Sequence, residues 1–174
     1  MRALRADEIE VRIGTVGEKG CTMLLYKNAR VDMQILDEEF GPMNWQRDHK
    51  EIKGNLYCGV GIWDDDKKTW VWKWDCGVES NTEREKGEAS DSFKRACTNH
   101  GIGRELYTSP RIKLEVATDK IGDRKYVLHN KFDLYGVYVS YIDYIEQDGK
   151  RIISDLALAQ KDWNGREHEI WRMK

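Results

Sequence analysis

Three stretches, residues 45–53, 56–63 and 69–78, alternate apolar and polar side chains with a period of two. Gly54-Asn55 separates the first pair and Asp64-Asp65-Asp66-Lys67-Lys68 the second. Links this short return a strand beside its neighbour, so the segment is expected to fold as an antiparallel meander. The same period puts Trp70, Trp72 and Trp74 on one face and Val71, Lys73 and Asp75 on the other. A row of indoles can stack planar rings, but the preferred reading is that it seats a helix on the sheet.

A long helix is expected next. Ser80 with Glu83 and Thr82 with Glu85 form two overlapping capping boxes, and Gly101 closes the pattern. Ala89, Phe93, Ala96 and Cys97 share one arc at about 100° per residue and are expected to face the sheet. Upstream, Val31, Ile35, Leu36 and Phe40 recur at helical spacing until Gly41-Pro42, and residues 21–26 read as a buried strand. Residues 7–17 are ambiguous. Positions 9, 11 and 13 alternate as in a strand, positions 9, 13 and 16 share a helix face, and the helix is preferred. Beyond Pro110 the period is two again: residues 137–144 alternate, Asp148-Gly149 is a hairpin turn, residues 152–158 return, and Trp163-Asn164-Gly165 precedes a last strand ending near Trp171. The expected fold is α+β: a three-stranded antiparallel meander packed by a long helix, with a C-terminal β-hairpin extension. Residues 1–110 form the core and 111–174 a β-rich extension of the same domain.

Composition narrows the function without naming it. The chain has 174 residues, 40% hydrophobic and 34% charged, which suits one domain. A net charge of −2 and a pI near 6.1 argue mildly against a nucleic-acid ligand unless the positive charge is gathered in one groove. No run of ~18 apolar residues is present, so no membrane span is expected, and the charged start is not a signal peptide. Cys21, Cys58, Cys76 and Cys97 are scattered, which reads as reduced, half-buried thiols in a cytoplasmic protein. A zinc site from Cys97 and His100 is disfavoured, because metal ligands come in tighter local pairs.

No nucleophile elbow, phosphate-binding loop or dinucleotide fingerprint occurs. Asp48, Glu51, Lys53 and Asp64 to Asp66 are the best candidates for a metal nuclease, set against a solvated hairpin tip. The second helix carries Arg84, Lys86, Lys94 and Arg95, interrupted by Glu85, Glu88 and Asp91. By charge pattern alone it is a solvated helix, with phosphate binding as the alternative. No catalytic residue, metal or cofactor is expected.

Residues 36–107 carry a more specific signal. Leu36-Asp37-Glu38-Glu39-Phe40-Gly41-Pro42-Met43-Asn44-Trp45 is similar to the L-D-x-x-F-G-x-x-x-W signature of the Rad-fifty-two-like single-strand annealing superfamily. Asp75-Cys76-Gly77-Val78-Glu79-Ser80 resembles its D-x-G-x-x-S element. The run from Lys86-Gly87 through Ser90-Asp91 and Lys94-Arg95-Ala96 to Gly101-Ile102-Gly103-Arg104-Glu105-Leu106-Tyr107 resembles the motif of the short phage and bacterial (Sak-type) members. The resemblance implies a β-β-β-α core repeated around an oligomeric ring, with single-stranded DNA held by its phosphates in a basic groove and its bases left free to pair. It implies a protein that is not an enzyme, acting without ATP in recombination and repair in a bacterial or phage-infected cytoplasm, with a single-strand-binding protein as a candidate further partner. The implied phosphate contacts fall on Lys86, Lys94 and Arg95, with Arg30 from the preceding helix. Where eukaryotic members carry another basic residue this chain has Thr98, for which Arg104 can compensate. A strand-coating scaffold that does not anneal is the alternative.

Overall fold

The computed structural model describes residues 1–77, 84–130 and 134–173, except for the side chains of 84–86. In chain order the strands and helices are β1 (Glu10–Gly17), β2 (Gly20–Tyr26), α1 (Ala29–Phe40), β3 (Trp45–Ile52), β4 (Asn55–Asp64), β5 (Thr69–Cys76), α2 (Arg84–Asn99), β6 (Ile112–Leu114), β7 (Thr118–Lys120), β8 (Tyr126–Leu128), β9 (Tyr138–Gln147), β10 (Lys150–Lys161) and β11 (Glu167–Arg172). All strand pairings among the described residues are antiparallel, so the chain is α+β. Packing divides it into two compact units, Met1–Ala3 with Lys27–Arg104, and Leu4–Tyr26 with Glu105–Lys174.

The first unit holds a sheet of order β3-β4-β5 and both helices. Lys53 and Gly54, both at positive φ (54° and 76°), make a two-residue turn of the kind that matches strand twist. Across β4, Cys58 opposes His49 and Asp75, Val60 opposes Arg47 and Lys73, and Ile62 opposes Trp45 and Val71. Directly opposed residues share a face, and α2 packs on this one. Phe93, Ala96 and Cys97 are buried there, as the helical arc predicts. The Phe93 ring lies 6.1 Å from Trp45 and 5.2 Å beneath the Arg47 guanidinium. The expected capping boxes at Ser80 and Thr82 lie outside the described residues. Asn28 caps α1 through its side-chain oxygen, which accepts from the backbone N–H groups of Arg30 and Val31.

The tryptophan row does not seat this helix. Trp74 opposes Gly59 and Trp72 opposes Gly61, which puts them on the other face of the sheet. A Cβ at Gly59 would stand 2.4 Å from the Trp74 ring, and one at Gly61 would stand 2.8 Å from Trp72. The indoles therefore lie flat over the two glycines, stacked at 5.8 Å and 24°. Lys50 sits 4.4 Å over Trp74, and Trp63 meets Trp70 edge-on at 5.5 Å. Alternation alone groups the indoles correctly, but their face is decided by where β4 lacks side chains.

In the second unit β2 pairs with β1 and β6. Residues 7–17 form a short 3-10 turn (Ala6–Glu8) followed by β1, not the preferred helix. Gly14 and Gly17 inside a helix would cost roughly 1 kcal/mol each relative to alanine. The β-branched Val11, Ile13, Thr15 and Val16 favour the hairpin with β2 instead. The C-terminal sheet runs β11-β10-β9, and Asp148-Gly149 supplies the hairpin turn at φ 50° and 70°. Ile153, Leu156 and Leu158 are buried on β10, and the Glu105 carboxylate accepts the Leu4 N–H at 2.8 Å.

Candidate nucleic-acid interface

The signature residues meet one another in the first unit. Asp37 accepts from the Trp45 indole N–H at 2.7 Å, and Gly41, at φ 83°, ends the helix between them. Asp75 on β5 accepts from Arg95 Nε on α2 at 3.1 Å and also from the Asn99 amide at 3.2 Å. Gly77 is where helix and strand touch: a Cβ there would fall 2.2 Å from the Glu88 carbonyl oxygen and 2.8 Å from the Ser92 nitrogen. At the other end of α2, Gly101 N–H donates to the Thr98 carbonyl and Ile102 N–H to the Cys97 carbonyl. This is the Schellman closure, with Gly101 at φ 103° and Ile102 buried. The glycine-rich G-I-G run is thus a helix stop and not an anion loop.

The expected phosphate contacts separate onto different flanks of α2. Lys94 faces α1: its carbonyl accepts from Lys27 Nζ at 3.4 Å, its charge acts on Asp32, and its Nζ stands 4.0 Å from Asp91. Arg95 lies over β5 against Asp75, with its side chain 46% exposed. Arg30 is exposed on the first turn of α1, two residues before the buried Asp32 and so on the outer side of that helix, away from Lys94. Arg104 bonds to the Thr98 and Asn99 carbonyls, closing the negative end of the helix. It stands beside Thr98, with Nε and one of its two terminal nitrogens turned to the backbone. Lys86 is on the first turn of α2, and its side chain is outside the described set.

Sequence reasoning missed the groups around Lys94. Asp32 and Lys27 are buried and ion-paired between the helices. Asp32 Oδ2 and His49 Nε2 are buried without a hydrogen-bond partner among the described residues. Burial raises the Asp32 carboxyl to about 6, against the opposing pull of Lys27 and Lys94. A signal was available, since Asp32 falls on the apolar arc of Ile35 and Leu36 where a solvated acid does not belong. Lys73 and Asn99 were missed too; Lys73 Nζ donates to the Asn99 carbonyl at 2.9 Å, beside the Asp75–Arg95 pair.

The carboxylates weighed for a metal nuclease do not converge. Asp48 opposes Gly59 on the tryptophan face and Glu51 points to the other. Asp64 lies five residues further along β4, about 17 Å away. It accepts from the N–H groups of Asp66 and Lys67, which builds the turn. His100 gives its Nε2 to the Val60 carbonyl at 2.8 Å. Among the described residues no group of three His, Cys, Asp or Glu side chains gathers as metal ligands. The cysteines are unpaired, three of them buried, with burial pushing the Cys58 thiol up to about 11. No helix among the described residues is long and apolar enough to cross a membrane.

Comparison with family models, with curated proteins and with solved structures gave no match for this chain.

Proposed function

We propose that this chain is a phosphate-binding protein for single-stranded nucleic acid that works as an oligomer. More particularly, we read it as a single-strand DNA annealing protein of the Rad-fifty-two-like kind, closest to the short phage and bacterial members. The observation that supports the reading is that the signature elements meet one another within one β-β-β-α unit: Asp37 with Trp45, Asp75 with Arg95, and Gly77 against the α2 backbone.

On this reading Lys94 holds a phosphate at the α1–α2 seam, with Arg30, Lys86 and Arg95 extending the track. Affinity then comes from counterion release and carries no sequence information. That suits annealing, where the bases must be left to recognise each other. Among the described residues β3 and β5 are the edges of their sheet, and pairing between subunits in a ring would satisfy such edges. Repetition around the ring multiplies a few cations per chain, so a net charge of −2 is no obstacle. The protein is then at work in bacterial or phage-infected cytoplasm during recombination and repair, needing neither cofactor nor ATP.

Pairing of complementary oligonucleotides, followed with EDTA present and ATP absent, is expected to accelerate strongly. Strand binding without acceleration would favour the coating scaffold, for which the half-exposed indoles of Trp72 and Trp74 are a stacking platform. Light scattering at micromolar concentration is expected to show a species many times 20.4 kDa; a 20.4 kDa particle alone would remove the ring.

A further inference from the structure

Asp32 is 0% exposed on the inner side of α1. Its Oδ1 accepts from Lys27 Nζ, also buried, and the same ammonium donates to the Lys94 carbonyl. Its Oδ2 has no hydrogen-bond partner among the described residues. A sealed carboxylate with one bare oxygen costs stability, and an apolar side chain would pack this seam as well or better. Folding alone gives no account of it. Lys94, with Asp91 at 4.0 Å from its Nζ, is the other cation whose charge reaches Asp32.

We propose that Asp32 is a positioning residue for Lys94: the buried carboxylate fixes Lys27 against the Lys94 carbonyl and so holds this turn of α2 to α1, and its charge opposes that of a phosphate held by Lys94. This rests on the reading of Lys94 as a phosphate contact. A phosphate held by Lys94 takes away part of what keeps Asp32 ionised, and its own charge opposes the carboxylate. Strand binding therefore takes up a proton, and by linkage it tightens as Asp32 is protonated. The titratable and charged groups facing Asp32 are Lys27 ahead of α1 and Lys94 and Cys97 on α2; Cys58 of β4 and Arg47 of β3 stand behind Cys97.

The test uses the full chain and oligothymidylate, whose bases do not titrate near neutrality. Wild-type affinity is expected to rise about three- to tenfold between about pH 7.5 and about pH 5.5. Asp32→Asn is expected to lose that rise and to bind at the higher pH as tightly as wild type does at the lower one. Both proteins carry the same four histidines, so the difference between them isolates Asp32. Equal pH slopes in two folded proteins would overturn the proposal. Should Asp32→Asn fail to fold, carbon NMR of the Asp32 carboxyl in wild type and Lys94→Gln decides the matter: the variant is expected to titrate at higher pH, and an unmoved titration overturns the coupling. Absence of oligothymidylate binding in every protein sinks the phosphate reading instead, and the carboxyl titration then judges the Asp32–Lys94 relationship alone.

Discussion

Arg95 on α2 and Asp75 on β5, twenty positions apart, are joined at 3.1 Å, with the arginine side chain 46% and the aspartate 25% exposed. An ion pair this wet contributes only about 0–1 kcal/mol, so it does not hold the helix to the sheet. It does set a carboxylate beside a proposed phosphate contact. Arg95→Ala and Lys94→Ala are therefore expected to keep their melting temperature within a few degrees while annealing is lost, and to shrink the dependence of log affinity on log salt by about 0.7 per phosphate contact removed. Asp75→Asn should act oppositely, leaving Arg95 freer and tightening strand binding at low salt. Normal annealing by folded Lys94→Ala and Arg95→Ala would place the binding site elsewhere.

Phe93 has the reverse character. It is fully buried between the Trp45 ring and the Arg47 guanidinium. Phe93→Ala opens a cavity and is expected to cost about 3–5 kcal/mol. Annealing should fall with the folded fraction, and chemical denaturation read beside the activity of the remaining folded protein separates this from a loss of charge.

Gly77→Ala tests the joint between strand and helix. Its added Cβ would fall 2.2 Å from the Glu88 carbonyl oxygen, a backbone atom that cannot rotate away. Overpacking of this kind costs about 1–3 kcal/mol, and the loss should appear as a lowered melting temperature. An unchanged melting temperature would show that α2 can move off β5 freely.

The difference between what could and could not be read in the sequence follows from range. Strands β3, β4 and β5 emerge within about two residues because a period of two and a hairpin turn are local properties. The apolar arc of α2 is local too, and Phe93, Ala96 and Cys97 are buried as expected. Residues 7–17 were misjudged because the deciding partner, β2, lies across a turn, and a pattern consistent with two periods needs that partner to break the tie. The face of the tryptophans needed the register of β4. For the candidate site, the cations were legible as charges on a helix, but their neighbours were not: Lys27, Asp32 and Asp75 come to Lys94 and Arg95 from other elements, and no spacing rule within α2 names them.

The Asp32 carboxyl gives stability a pH dependence of known sign. An unfolded aspartate titrates near 3.9, and in the folded chain burial raises this one to about 6. The folded state takes up the proton first, so the contribution of this group is fully present below about 3.9 and is lost as pH rises through about 6. The change is on the order of 3 kcal/mol. Denaturant unfolding at about pH 5 and pH 7.5 should show Asp32→Asn with a flatter profile than wild type. An identical profile would mean that the carboxyl titrates like an exposed one.

The flat seating of Trp72 and Trp74 over Gly61 and Gly59 has a spectroscopic consequence. Two nearly parallel indoles whose centres are 5.8 Å apart couple their electronic transitions. Circular dichroism in the far ultraviolet should therefore carry an exciton couplet superimposed on the backbone signal. The couplet belongs to the outer face of the β3-β4-β5 sheet and to nothing else in α2 or the C-terminal strands. Gly59→Ala, which displaces the Trp74 ring, should remove the part due to Trp72 and Trp74, leaving that of the Trp63–Trp70 pair and the helix signal. The protein thus contains its own optical gauge of whether that face is native, and anything that docks there, strand or subunit, must register on it without a dye or a label.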